Sequence, residues 1–164
     1  MELFHESSLP ELYASAIDAF PSTRKRQHAV DPVRVARLKW TPFLGMKTLL
    51  VRGEIQSEGS EYATTILLRS VDYTKNEATL LADDGLRYEF GLIDPQVADV
   101  NVRCNCPDFQ WRFNHYNSLD SSLYGRGRTK YEGSLWKANP KEMPGLCKHL
   151  MKTVKAIDET GIFG

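Results

Sequence analysis

Leu49-Leu50-Val51-Arg52-Gly53-Glu54-Ile55-Gln56, then Ser57-Glu58-Gly59-Ser60, then Tyr62-Ala63-Thr64-Thr65-Ile66-Leu67-Leu68-Arg69-Ser70-Val71 is the stretch that decides the fold class. Leu49, Val51, Gly53 and Ile55 alternate with Leu50, Arg52, Glu54 and Gln56. A period of two sends successive side chains to opposite faces of a strand. The Ser-Glu-Gly-Ser step supplies turn chemistry between the two runs, so the reading is an antiparallel hairpin.

Outward from that hairpin the chain keeps its β character on one side. Ala78–Ala82 and Leu86–Leu92 read as two further short strands joined by Asp83-Asp84-Gly85, and Leu92-Ile93-Asp94-Pro95 ends the unit. On the other side, Leu9 to Phe20 reads as a helix. Ser8 is placed to cap it, Pro10 sits in its first turn, and Leu9, Leu12, Tyr13, Ala16, Ile17 and Phe20 recur at helical spacing until Pro21 stops it. A last helix is predicted from about Leu146 to Glu159, with Leu146, Leu150, Met151, Val154 and Ile157 as its apolar stripe and Gly161 as its stop. The expectation is an α+β chain in three segments: 1–45 as an N-terminal helix and extended arm, 46–95 as an antiparallel β-sheet body, and 96–164 as a C-terminal unit.

A length of 164 residues is enough for one ordinary core without crosslinks. Lys plus Arg and Asp plus Glu both number 21, so no global charge draws the chain to nucleic acid or to an anionic membrane. No apolar run approaches the length of a membrane-spanning helix, and Met1 to Glu6 lacks the basic start and apolar stretch of a signal peptide. Synthesis and retention in the cytosol are expected. The three cysteines cannot all pair with one another, and a bridge between Cys104 and Cys106 would be strained, which favours a reducing compartment.

Val100, Val102, Cys104 and Cys106 recur every second residue, so a strand here turns all four side chains to one face. Cys147-Lys148-His149, preceded by Pro144-Gly145, stands at the predicted start of the last helix. Residues i and i+2 converge there only if the first is still outside the helix. All three cysteines thus fall into two close pairs completed by one histidine. Cys104, Cys106, Cys147 and His149 are therefore read as the ligands of one structural Zn²⁺ with four ligands and no open position, against the simpler reading of buried thiols beside a helix-capping histidine. A nucleophilic pair of Cys147 with His149 fails on geometry, since two positions in one segment do not align sulfur, imidazole and a third orienting group. No enzyme is expected.

Cys-x-Cys, a spacer and Cys-x-His make up the pattern of the SWIM-type zinc finger. Strands leading into Cys104-Asn105-Cys106 and a helix starting at Cys147-Lys148-His149 resemble that family's ββα arrangement. The resemblance covers about residues 86 to 157 and carries the four zinc ligands over one for one. Forty residues separate Cys106 from Cys147, a longer spacer than the family usually shows, so an insertion spanning 111–143 divides the two halves. The phrases Cys104-Asn105-Cys106-Pro107-Asp108-Phe109 and Asn139 to Leu150 resemble small SWIM-like proteins of tailed bacteriophages. Taken with the balanced charge and the aromatic insertion, that resemblance leads to the expectation of a virion structural protein of the neck, tail or baseplate, made in the host cytoplasm, with other virion subunits as partners and neither a membrane nor a small-molecule substrate. SWIM modules are also associated with DNA binding, which makes a nucleic-acid-binding protein with a regulatory or DNA-packaging role the alternative.

The insertion is rich in Asn, Ser, Gly and Tyr and reads as a long loop, of the kind that is functional or folds on a partner. Tyr124, Arg126, Arg128, Lys130, Tyr131 and Trp136 suit a protein interface, and the basic and aromatic members also suit a nucleic-acid backbone and its bases. Arg24, Lys25 and Arg26, in the polar stretch Ser22–His28, read as a solvated linker, with a phosphate-contacting patch as the alternative. Phe109, Trp111 and Phe113 are assigned to the apolar shell of the zinc site. His115 is a spare donor, and His5 and His28 are isolated.

Overall fold

The computed structural model describes residues 7–19, 33–57, 59–127, 139 and 143–164. Its first element is helix α1 (Leu9–Ala19). Ser8 and Glu11 cap it reciprocally: Glu11 N–H donates to Ser8 Oγ at 3.4 Å and Ser8 N–H donates to Glu11 Oε1 at 3.0 Å. Leu9, Leu12 and Ala16 form its buried face.

Strand β1 (Arg34–Phe43) follows, then a single 3-10 turn at Leu44–Met46, β2 (Thr48–Ser57) and β3 (Ser60–Leu68). β4 (Ala78–Leu81) and β5 (Arg87–Phe90) make a separate two-stranded sheet, and β6 (Val100–Cys104) returns to the first, which has the order β1-β2-β3-β6. Every pairing in it is antiparallel. The hairpin is in the register its alternation demands, with Leu49 opposite Leu68 and Ser57 opposite Ser60. Leu49, Val51 and Ile55 of β2, Ile66 and Leu68 of β3, and Val100, Val102 and Cys104 of β6 are all fully buried.

Helix α4 (Lys148–Asp158) lies on that buried face, after the short helices α2 (Pro107–Arg112) and α3 (Asn114–Leu119). Gly53 lets α4 come close: a Cβ there would stand 2.5 Å from Thr64 Oγ1 and 3.4 Å from Thr153 Oγ1. The two threonine hydroxyls bond each other at 2.8 Å, and Thr153 Oγ1 donates to the carbonyl of His149 at 2.9 Å. Leu150, Met151 and Ile157 join α1 and the sheet in one core.

The α+β class, the N-terminal helix, the antiparallel body and the C-terminal helix are as expected, and the expected β4–β5 hairpin is present. Two expectations are corrected. The arm assigned to residues 1–45 contains β1, paired with β2 over its length. The sequence conceals it because a bulge between Val35 and Arg37 breaks the alternation, and because the strand carries Arg34, Arg37 and Lys39 on a largely exposed face. The insertion 111–143 is no single loop, since its first residues are helical through Leu119. Residues 121–124 then lie along β6, where Val102 N–H donates to the Ser122 carbonyl at 2.8 Å and Tyr124 N–H donates to the Val102 carbonyl at 2.9 Å. Among the described residues, no helix is long and apolar enough to cross a membrane.

Candidate metal centre

Each of the four donors is placed by a local rule. Cys104 ends β6 opposite Thr64. The ladder stops one residue later because Asn105 turns both its groups on Ala63: its N–H donates to the Ala63 carbonyl at 3.2 Å, and its Oδ1 accepts the Ala63 N–H at 2.9 Å. Cys106 is then the N-cap of α2, in extended conformation with φ −71° and ψ 152°, and Pro107 occupies the first turn. Its Sγ accepts the N–H of Phe109 at 3.3 Å. So the strand carries three of the four alternating residues expected to share a face, and Cys106 reaches the same place as a helix cap.

Cys147 caps α4 from outside it, with φ −77° and ψ 170°, and His149 lies in the first turn. The convergence required of an i, i+2 pair is met by that extended cap. The three sulfurs and a nitrogen of His149 all lie within 4.8 Å of one another. His149 Nδ1 is 3.8 Å from Cys104 Sγ and 4.0 Å from Cys147 Sγ. Nε2, on the other side of the ring, is buried without a hydrogen-bond partner among the described residues, so the sulfurs are the ring's polar surroundings. The Tyr62 ring lies against the imidazole, with centroids 4.4 Å apart and planes 30° apart.

The relative exposures of Cys104, Cys106, Cys147 and His149 are 0 %, 1 %, 0 % and 3 %, so the cluster is closed to solvent. Its protons are unevenly held. Hydrogen bonds from Cys104 and then Cys147, with His149 and the Phe109 N–H behind them, hold the Cys106 thiol far below the usual thiol range. Cys104 is pushed up, first because it is the donor to Cys106, and Cys147 is pushed up by burial. Three crowded, buried sulfurs cannot all carry a charge without a cation among them. A divalent ion held among them would supply the charge that removes the remaining protons. Three sulfur donors, one imidazole and no carboxylate fit such an ion, and these four residues could hold it.

No other candidate among the described residues joins the cluster. Phe109 and Phe113 are buried, Phe109 next to the centre through its N–H on Cys106 Sγ, whereas Trp111 is 41 % exposed. The segment is helical, so residues i and i+4 share its inner face and i+2 points away, which corrects the assignment of Trp111 to the apolar shell. His115 is outside the cluster and meets Tyr116 edge to face. Tyr124 is partly buried and Arg126 exposed; the carbonyls of both accept from Arg103 Nη1, at 3.0 and 2.9 Å. Arg24, Lys25, Arg26, Arg128, Lys130, Tyr131 and Trp136 lie outside the described residues, as do His5 and His28.

Sequence reasoning missed Asn105, Tyr62 and a set of buried amides around the second ligand pair. Asn139 Nδ2 donates to the carbonyls of Arg112 and Met143 at 2.7 and 2.8 Å, and Asn117 binds Gly145. The available signal was the richness of the insertion in Asn, which reads as loop chemistry until the partners are known. No protein-family model, no curated protein and no solved structure matches this chain.

Proposed function

We propose that this chain is a non-enzymatic, zinc-stapled structural protein of SWIM-like type, acting through protein–protein contacts in the particle of a tailed phage. The observation that carries the reading is the closed set of four buried donors, Cys104, Cys106, Cys147 and His149. Bond lengths of about 2.3 Å to sulfur and about 2.05 Å to nitrogen put tetrahedral S···S and S···N separations at about 3.8 and 3.6 Å. The His149 contacts of 3.8 and 4.0 Å are near that, and the widest separation of 4.8 Å needs a contraction of about 1 Å. A tetrahedron filled by four side chains leaves no position for a reacting water, which supports a structural role over a catalytic one. Support for the finer parts of the reading comes from the order of elements, Cys-x-Cys at a strand end and Cys-x-His at a helix start, and from the phage-like wording around both pairs.

Elemental analysis of natively purified, reduced protein is expected to give one zinc per chain; a content near zero refutes the staple. Mass spectrometry of purified particles is expected to detect the chain, and its absence refutes the virion role. Binding to duplex DNA at low salt that weakens linearly in log salt is the result that replaces this reading with the nucleic-acid one.

A further inference from the structure

Asn117 lies in α3, between the two ligand pairs in sequence, and is fully buried. Its carboxamide makes two hydrogen bonds to one residue. Gly145 N–H donates to Oδ1 at 2.8 Å, and Nδ2 donates to the Gly145 carbonyl at 3.1 Å. Gly145 stands two residues before Cys147, in a slot that admits no side chain: a Cβ would be 2.7 Å from the Phe113 ring and 3.0 Å from Ala16 Cβ.

The backbone of Asn117 is fixed as well. Its N–H donates to the Phe113 carbonyl at 2.8 Å, and its own carbonyl accepts the Ser122 N–H at 2.9 Å. The Ser122 carbonyl accepts the Val102 N–H at 2.8 Å, and Val102 is two residues before Cys104. A continuous hydrogen-bonded path therefore runs from β6 through Ser122 and Asn117 to Gly145. It joins one half of the ligand set to the other without passing through a ligand.

We infer that Asn117 is a positioning residue of the metal centre, aligning the Cys147–His149 half with the Cys104–Cys106 half before a metal binds. The inference rests on the metal-site reading above. Forty residues lie between Cys106 and Cys147, and the entropy of closing a segment of that length opposes metal binding unless the metal-free fold has already closed it. The path through Asn117 does so with neutral groups.

Cobalt titration of the reduced, metal-free chain tests this, read through the thiolate-to-cobalt charge-transfer band. Asn117→Leu keeps the size of the side chain and removes both hydrogen bonds. Leu80→Ala, in the separate β4–β5 sheet, serves as a variant destabilised away from the centre. Asn117→Leu is expected to bind cobalt about 10–100-fold more weakly with an unchanged spectrum. Leu80→Ala is expected to melt earlier yet keep the affinity of the parent chain.

Equal affinity in Asn117→Leu and the parent overturns the inference. So does weakening of both variants in proportion to their loss of melting temperature, since that is general destabilisation. Failure of the parent to bind cobalt overturns the metal-site reading and the inference with it. Should Asn117→Leu not fold, hydrogen exchange of the metal-free parent decides: the Gly145 N–H is expected to be protected, and exchange at the rate of an unstructured amide overturns the inference.

Discussion

Tyr73 donates its hydroxyl to the Thr48 carbonyl at 2.6 Å, and its ring meets Phe90 edge to face at 5.9 Å. Burial pushes its phenol up to about 12, from a usual value of 10.0. The native chain therefore keeps a proton that the unfolded chain releases first. Tyr73 leaves stability independent of pH below about 10 and lowers it as the pH rises from there through about 12. In urea unfolding across that range, Tyr73→Phe is expected to show a smaller alkaline loss than the parent; parallel curves count against it. Among the candidate ligands, Cys147→Ser replaces a thiol that a divalent ion can deprotonate by a hydroxyl that does not ionise at neutral pH. Elemental analysis is expected to show its metal content falling from one per chain to near zero. The four residues that could hold a metal ion were legible in the sequence because each pair is two residues apart, a distance at which an extended segment brings both side chains to one side. Asn117 was not legible, since its partner is 28 residues away and nothing in an asparagine says which backbone it will bind.

Helix α4 and the β2–β3 hairpin meet at Gly53, where the absence of a side chain lets the Thr64–Thr153 hydroxyl pair form in the core. Gly53→Ala places a methyl group within 2.5 Å of Thr64 Oγ1. The helix or the hydroxyl pair must shift, at a cost of about 1–3 kcal/mol, measurable as a lower urea midpoint. An unchanged midpoint means the sheet has room that the packing does not show. At this scale the hairpin was legible because the alternation from Leu49 to Gln56 runs unbroken, and α1 because its cap and apolar stripe agree. β1 was not, because a bulge interrupts its period and charged side chains occupy its outer face. α2 was not, because Phe109, Trp111 and Phe113 alternate as in a strand while Phe109 and Phe113 alone share a face in a helix, and the burial of those two with Trp111 exposed decides for the helix.

For the whole molecule, one core joins α1, the main sheet, α4 and the cysteines, so metal removal is expected to be felt throughout rather than in the C-terminal half alone. Free metal at a thousandfold over its dissociation constant contributes about 4 kcal/mol. For a domain of this size that corresponds to about 8–16 °C in melting temperature. Calorimetry with and without a chelator checks the figure; a single transition that moves by that amount is the expected result, and an unmoved transition removes the staple from the stability of the fold. The sequence by itself determined the α+β class, the central hairpin, both terminal helices and the identity of the metal-ligand candidates. Those features rest on periodicity, caps and spacings of a few residues, all properties of neighbouring side chains. Tertiary structure alone decided strand β1 of the main sheet, the helical start of the insertion and the amide path that ties Gly145 to β6. These depend on which distant groups a buried donor or acceptor finds, and a buried polar group left without a partner is costly enough to fix the answer only once the chain has folded around it.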